Sequence, residues 1–189
     1  MRFFKREEVK ALSLILLVLV LVCIPNYWVS LRKARDAQRK ADFGTLLQAL
    51  ERYQSDFRTF PLSQDGKIAA CGPYEVKIEN KKKIYLYSPC RWGKDPLTDP
   101  ADPTFPAYLK VLPNDPQAKK GFKYLYLSSG RTFQLYGALE GINEPEYDVK
   151  VVARNLDCGG RICNFGRAYG ETPLDKSLEE YENEINETK

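Results

Sequence analysis

The sequence predicts an α+β protein, a long N-terminal helix followed by a β-rich domain. Three observations predict it. Ala11 to Leu31 contains no charged residue. Leu31 to Phe57 continues in good helix formers with no proline. After Phe60-Pro61 the apolar residues shift towards a period of two.

At 1.5 Å per residue, Ala11–Leu31 covers roughly 31 Å, close to the hydrocarbon thickness of a bilayer. A lone segment in lipid must satisfy its own backbone hydrogen bonds, so it is helical. Tyr27 and Trp28 are residues of the kind that sit at a membrane interface. No small-residue cleavage site follows the apolar run, and a retained anchor is expected. Pro25 removes one helical hydrogen bond and is expected to kink or loosen the rod. In the second half, Ala34, Ala41, Leu46, Leu50, Tyr53 and Phe57 fall near one face, with charges elsewhere. Gly44 weakens the helix locally by about 1 kcal/mol relative to Ala and is expected to admit a packed strand.

The chain of 189 residues carries +4 overall with a mean hydropathy of −0.45, so its hydrophobicity is concentrated in one segment. Residues 171–189 hold seven acids and two lysines, which leaves about +9 on the remainder. Nucleic acid is a partner class that this charge allows and no motif supports. The sequence has no histidine, which excludes Ser-His-Asp and Cys-His catalysis and His-ligated metals. No phosphate loop, GxGxxG or GxSxG occurs, so no enzyme and no cofactor is expected.

Cys71, Cys90, Cys158 and Cys163 all follow the membrane segment and suggest an oxidising compartment. Four cysteines permit three pairings, and sequence neighbours favour Cys71–Cys90 and Cys158–Cys163. A four-cysteine zinc site is the rival, but it usually needs CxxC knuckles, and CGGRIC has four residues between its cysteines; no metal is expected. Cys23 is read as a packing residue or a lipid-facing thiol. Lys/Arg counts on the two sides of the span nearly tie, and the cysteines place the N-terminus inside.

The domain reads as hairpins. Tyr74–Glu79 and Ile84–Tyr87 flank a turn at Asn80–Lys83, whose lysines form a candidate basic patch. Seven of twelve prolines lie between Ser88 and Pro116, implying a long surface loop. Phe122–Ser128 and Thr132–Leu139 form the clearest hairpin, with alternation in both arms. Asp148–Ala153 is expected to be another strand. Leu174, Leu178, Tyr181 and Ile185 recur at helical spacing, as a short helix or an end that orders on contact.

The sequence resembles the type IV pilin and type II secretion pseudopilin family over residues 4–140. Phe4 and Glu8 are four apart, and Glu8 and Pro25 seventeen, as in that family. The stretch RKARDAQRKADFGTLLQALERYQSDFRTFP is similar to the helix of major pseudopilins, with Phe60-Pro61 at its end. Leu112-Pro113-Asn114-Asp115-Pro116 is similar to the turn that leads into their sheet. The family's leader ends in Gly; Phe3 stands there, so standard cleavage is not carried over. Nor is calcium, because the acidic C-terminal loop is missing; a disulfide at Cys158–Cys163 would pin that loop instead.

The resemblance implies a pilin-like fold in which the long helix packs on an antiparallel sheet. It implies a structural subunit of a type IV pilus or type II secretion-like pseudopilus on a prokaryotic surface, with the assembly machinery and other copies as partners. In the family, the counterpart of Glu8 neutralises a neighbour's freed amine; here Lys5 or Arg6 of a neighbour would substitute. Alternatively, Glu7 and Glu8 sit among headgroups. Leu14, Leu17, Val18, Leu21 and Pro25 complete the expected assembly set. The alternative function is a monomeric membrane-anchored surface protein that holds DNA or another polymer with its loops and Lys81–Lys83. The expected segments are a cytoplasmic leader (1–10), membrane helix (11–31), amphipathic continuation (32–57), extracytoplasmic domain (58–170, with the proline loop 88–116) and acidic tail (171–189).

Overall fold

A computed structural model of the chain describes residues 6–79, 82–99, 102 and 104–187. Helix α1 runs unbroken from Arg6 to Phe57, with Pro25 inside it. Around that proline, the Asn26 side chain donates to the Val22 carbonyl (3.2 Å). Arg58 ends the helix in the left-handed conformation (φ 59°), its N–H on the Gln54 carbonyl.

Two small antiparallel sheets follow, where a single sheet was expected. The first orders β1 (Leu62–Gln64), β2 (Lys67–Glu79) and β3 (Lys82–Pro89); the second orders β4 (Leu125–Ser128), β5 (Phe133–Gly137) and β6 (Phe165–Ala168). The β2–β3 hairpin pairs Tyr74 with Tyr87 and Glu79 with Lys82, and its register shifts around Cys71. Pro73 lies in that shifted stretch, and a residue without an N–H fits a bulge better than a regular ladder. Asn80 and Lys81 of the expected turn lie outside the described residues, as do Met1–Lys5, Pro100 and Pro103. Beyond Pro89, where β3 ends, the described residues of the proline loop form no strand or helix, only a single bridge of Leu97 with Leu109, and a 3-10 turn follows at Ala118–Lys120.

The core lies between α1 and the sheets. Phe43, Leu46 and Leu50 are fully buried among Ile68, Leu97, Leu112, Tyr124, Tyr126, Phe133, Leu135 and Phe165. Each such side chain is worth about 1.5–3 kcal/mol on burial. Phe43 stacks on Phe165 and meets Tyr124 edge-on. Gly137 allows that approach, because a Cβ there would stand 3.0 Å from the Phe43 ring.

Several expectations are corrected. Ala34 and Ala41 are exposed; the buried stripe is Asp36, Arg39, Phe43, Leu46, Leu50 and Tyr53, with Phe57 half-buried. These residues alternate three and four apart, so the core face continues upstream through a charged pair. Gly44 points outwards with nothing within 4 Å of an added Cβ, so no strand packs there. Residues 149–153 form a helix, α2 (Val149–Ala153), because the Asp148 side chain caps it by accepting the Lys150 N–H (2.8 Å). Strand β5 does not alternate: all five residues are buried. Its outer face is covered by the chain after Thr172, where Gln134 donates to the Lys176 carbonyl and Tyr136 to that of Leu174. Leu174 therefore precedes α3 (Leu178–Glu187), which carries the rest of the expected tail stripe.

Candidate functional site

Among the described residues, one helix is long and apolar enough to cross a membrane, and none of its apolar window is buried against the domain. Leu14, Leu17, Val18 and Leu21 are 63%, 55%, 52% and 63% exposed. With Pro25 they lie along one side of α1 at helical spacing. Glu8 is exposed too, but at about 100° per residue it projects roughly a third of a turn away from that stripe. The expected assembly residues are thus brought together except for Glu8. The apolar surface nevertheless goes all the way round, since Leu12, Ile15, Leu16, Leu19 and Val22 are equally open. A rod with no apolar partner of its own needs lipid or other helices around it.

Where the rod meets the domain, charge takes over. Arg39, 1% exposed, donates through Nε and Nη2 to Asp115 (2.8 and 3.0 Å) and through Nη1 to Asp36 (2.8 Å) and Glu140 (3.0 Å). Arg35 closes a two-pronged pair with Glu140 (2.6 and 2.7 Å). Asp36 in turn accepts the backbone N–H groups of Glu140 and Gly141 (2.9 and 3.0 Å), and Lys40 pairs with Glu144 (2.6 Å). Burial works against the Arg39 charge, but hydrogen bonds to Asp115 and Glu140 outweigh it and raise its pKa. Glu140 is held down to about 2, first by the hydrogen bond from Arg35; burial opposes this, and Arg39 adds to it. Two-pronged guanidinium–carboxylate pairs fix orientation as well as distance. They lock the first turns beyond the apolar segment to the end of the proline loop and to the chain after β5. Residue reading of the sequence missed this cluster. Its signal was the core phase of Phe43, Leu46 and Leu50, which extrapolates upstream to Arg39 and Asp36.

The cysteines pair as the sequence neighbours suggested. Cys71–Cys90 joins β2 to the end of β3, and Cys158–Cys163 closes a tight loop. Gly159 in that loop has φ 76° and lies against the Gly121 carbonyl, where a Cβ has no room. Cys23 is exposed on the rod. Among the described residues no group of three or more acidic or cysteine side chains is placed to hold a metal. Lys81 lies outside the described residues, so the expected basic patch has no described geometry. Compared with family models, curated proteins and solved structures, the chain has no significant match.

Proposed function

We propose that this protein is a structural subunit of a filament of the type IV pilus or type II secretion kind, single-pass in the cytoplasmic membrane with its N-terminus inside. The apolar half of α1 packs laterally against other copies, and the disulfide-bonded domain faces outwards. One observation carries this reading: the apolar rod and the domain's core helix are the same uninterrupted element, clamped at Arg35, Arg39 and Lys40. A simple tether works with a slack linker between anchor and domain. A subunit that must hold its domain at a fixed angle and height in an assembly needs a stiff one. Dense packing between apolar helices then supplies the lateral attraction.

A four-residue Gly-Ser insertion between Val29 and Leu31 tests this directly. The variant is expected to insert into membranes and keep its disulfides, yet to give no filaments in electron micrographs of sheared surface material. Glu8→Lys is expected to lower filament yield as well. Normal filaments from the insertion variant would refute the rigid-rod subunit.

A further inference from the structure

The two disulfides differ in what can reach them. Thiol–disulfide exchange needs a thiolate to arrive at one of the two sulfurs, so its rate depends on access. Cys158 and Cys163 are both fully buried, packed with Tyr136, Ala138 and Val151. Their loop lies against the segment 121–123, whose Lys123 N–H donates to the Cys158 carbonyl (3.0 Å). Cys90 is fully buried as well, in the core between α1 and the sheets. Of the four bridged cysteines only Cys71 is half-buried. The sequence supplies the reason. Gly72-Pro73 follows Cys71, and proline has no N–H for a ladder, so the pairing of β2 jumps from Cys71 with Ser88 to Tyr74 with Tyr87. Such a bulge re-aims the side chains beside it.

Cys71 lines a cavity of about 350 Å3 together with Ser88, Pro89, Arg91, Asp95 and Pro96. Its Sγ lies 3.3 Å from the carbonyl oxygen of Pro96, an exposed residue of the same cavity. The acid among these lining residues is already matched, since Asp95 accepts from Arg91 Nη2 (2.8 Å), and its charge does not stand unpaired against an incoming thiolate. We infer that Cys71 is a thiol-exchange site, open to a small-molecule thiol, while Cys158–Cys163 is closed to it. The thiolate bonds to Cys71 Sγ, the Cys71–Cys90 bond breaks, and its electron pair leaves on Cys90, which takes a proton from solvent. A second thiol then displaces the first from Cys71; the two small thiols are oxidised to a disulfide and the cystine is reduced to two thiols. The bond that opens cross-links the shifted stretch of β2 to the residue that follows β3. The inference stands apart from the filament reading, since it uses only the domain.

Timed incubation of the full-length Cys23→Ser protein in detergent micelles with reduced glutathione, quenched in acid and mapped by peptide mass spectrometry, tests it. Glutathione is expected on Cys71 and not on Cys90, Cys158 or Cys163. Cys71–Cys90 is expected to open at least about tenfold faster than Cys158–Cys163. In guanidinium chloride, which removes burial, that preference is expected to collapse. Glutathione found first on Cys90, Cys158 or Cys163, equal rates at the two disulfides of the folded protein, no exchange at either, or an undiminished preference in guanidinium chloride would each overturn the inference.

Discussion

Removing the Arg39 guanidinium leaves Asp36, Asp115 and Glu140 facing one another in a site from which water is nearly absent. Breaking a buried pair on one side costs about 3–5 kcal/mol, more than the intact pair contributes relative to an apolar substitute. Arg39→Met is therefore expected to lose about that much stability, read as a lowered urea midpoint. Glu140 gives the same cluster a pH signature. Its folded pKa is depressed to about 2 from an ordinary 4.5, so its contribution is complete above about 4.5 and is lost as pH falls through about 2. Asp42, raised by burial, acts in the opposite sense and stays the same in both proteins of the comparison. Urea midpoints of the parent and Glu140→Gln between pH 5 and pH 2 are expected to converge towards the acid end. These charges were hidden in the sequence for a physical reason. An amphipathic stripe is read from apolar residues, and a buried ion cluster looks like solvent surface until its distant partners at Asp115 and Glu140 are placed.

At the scale of elements, the long helix, the two hairpins and the strandless proline loop were legible because each is set by local chemistry: helix formers, alternation and proline density. The second face of β5 was not, because what covers it lies about 40 residues further along, at Pro173–Lys176. The stretch 148–153 has the β-branched look of a strand, and a single capping aspartate turned it into a helix. Both disulfide pairs followed from sequence proximity, and their loop lengths rank their worth. Cys71–Cys90 spans 19 residues and Cys158–Cys163 five. Loop-closure entropy gives about 3 kcal/mol for the first and about 2 kcal/mol for the second. Double Cys→Ser variants at each pair, compared by chemical unfolding, are expected to fall in that order. A larger loss from the shorter loop would mean that local packing, not chain entropy, sets its value.

For the whole molecule, the stiffness of one helix determines what its two halves can do together. None of the apolar window in the outer half is buried, and the inner half is the centre of the core. A rod of this kind transmits the position of its exposed apolar end to the domain without slack, provided the clamp at residues 35–40 holds. The exposed apolar surface was readable as composition, and the stripe of Leu14, Leu17, Val18 and Leu21 as helical spacing. The place of Glu8 off that stripe emerges only once the helix is drawn through it. The central claim, that copies meet along this rod, is tested most directly by covalent capture in native membranes. In a Cys23→Ser background, Leu14→Cys combined with Leu21→Cys is oxidised and the products are separated by size under denaturing conditions. A ladder of multimers extending beyond dimers is the predicted result; monomer alone would contradict it.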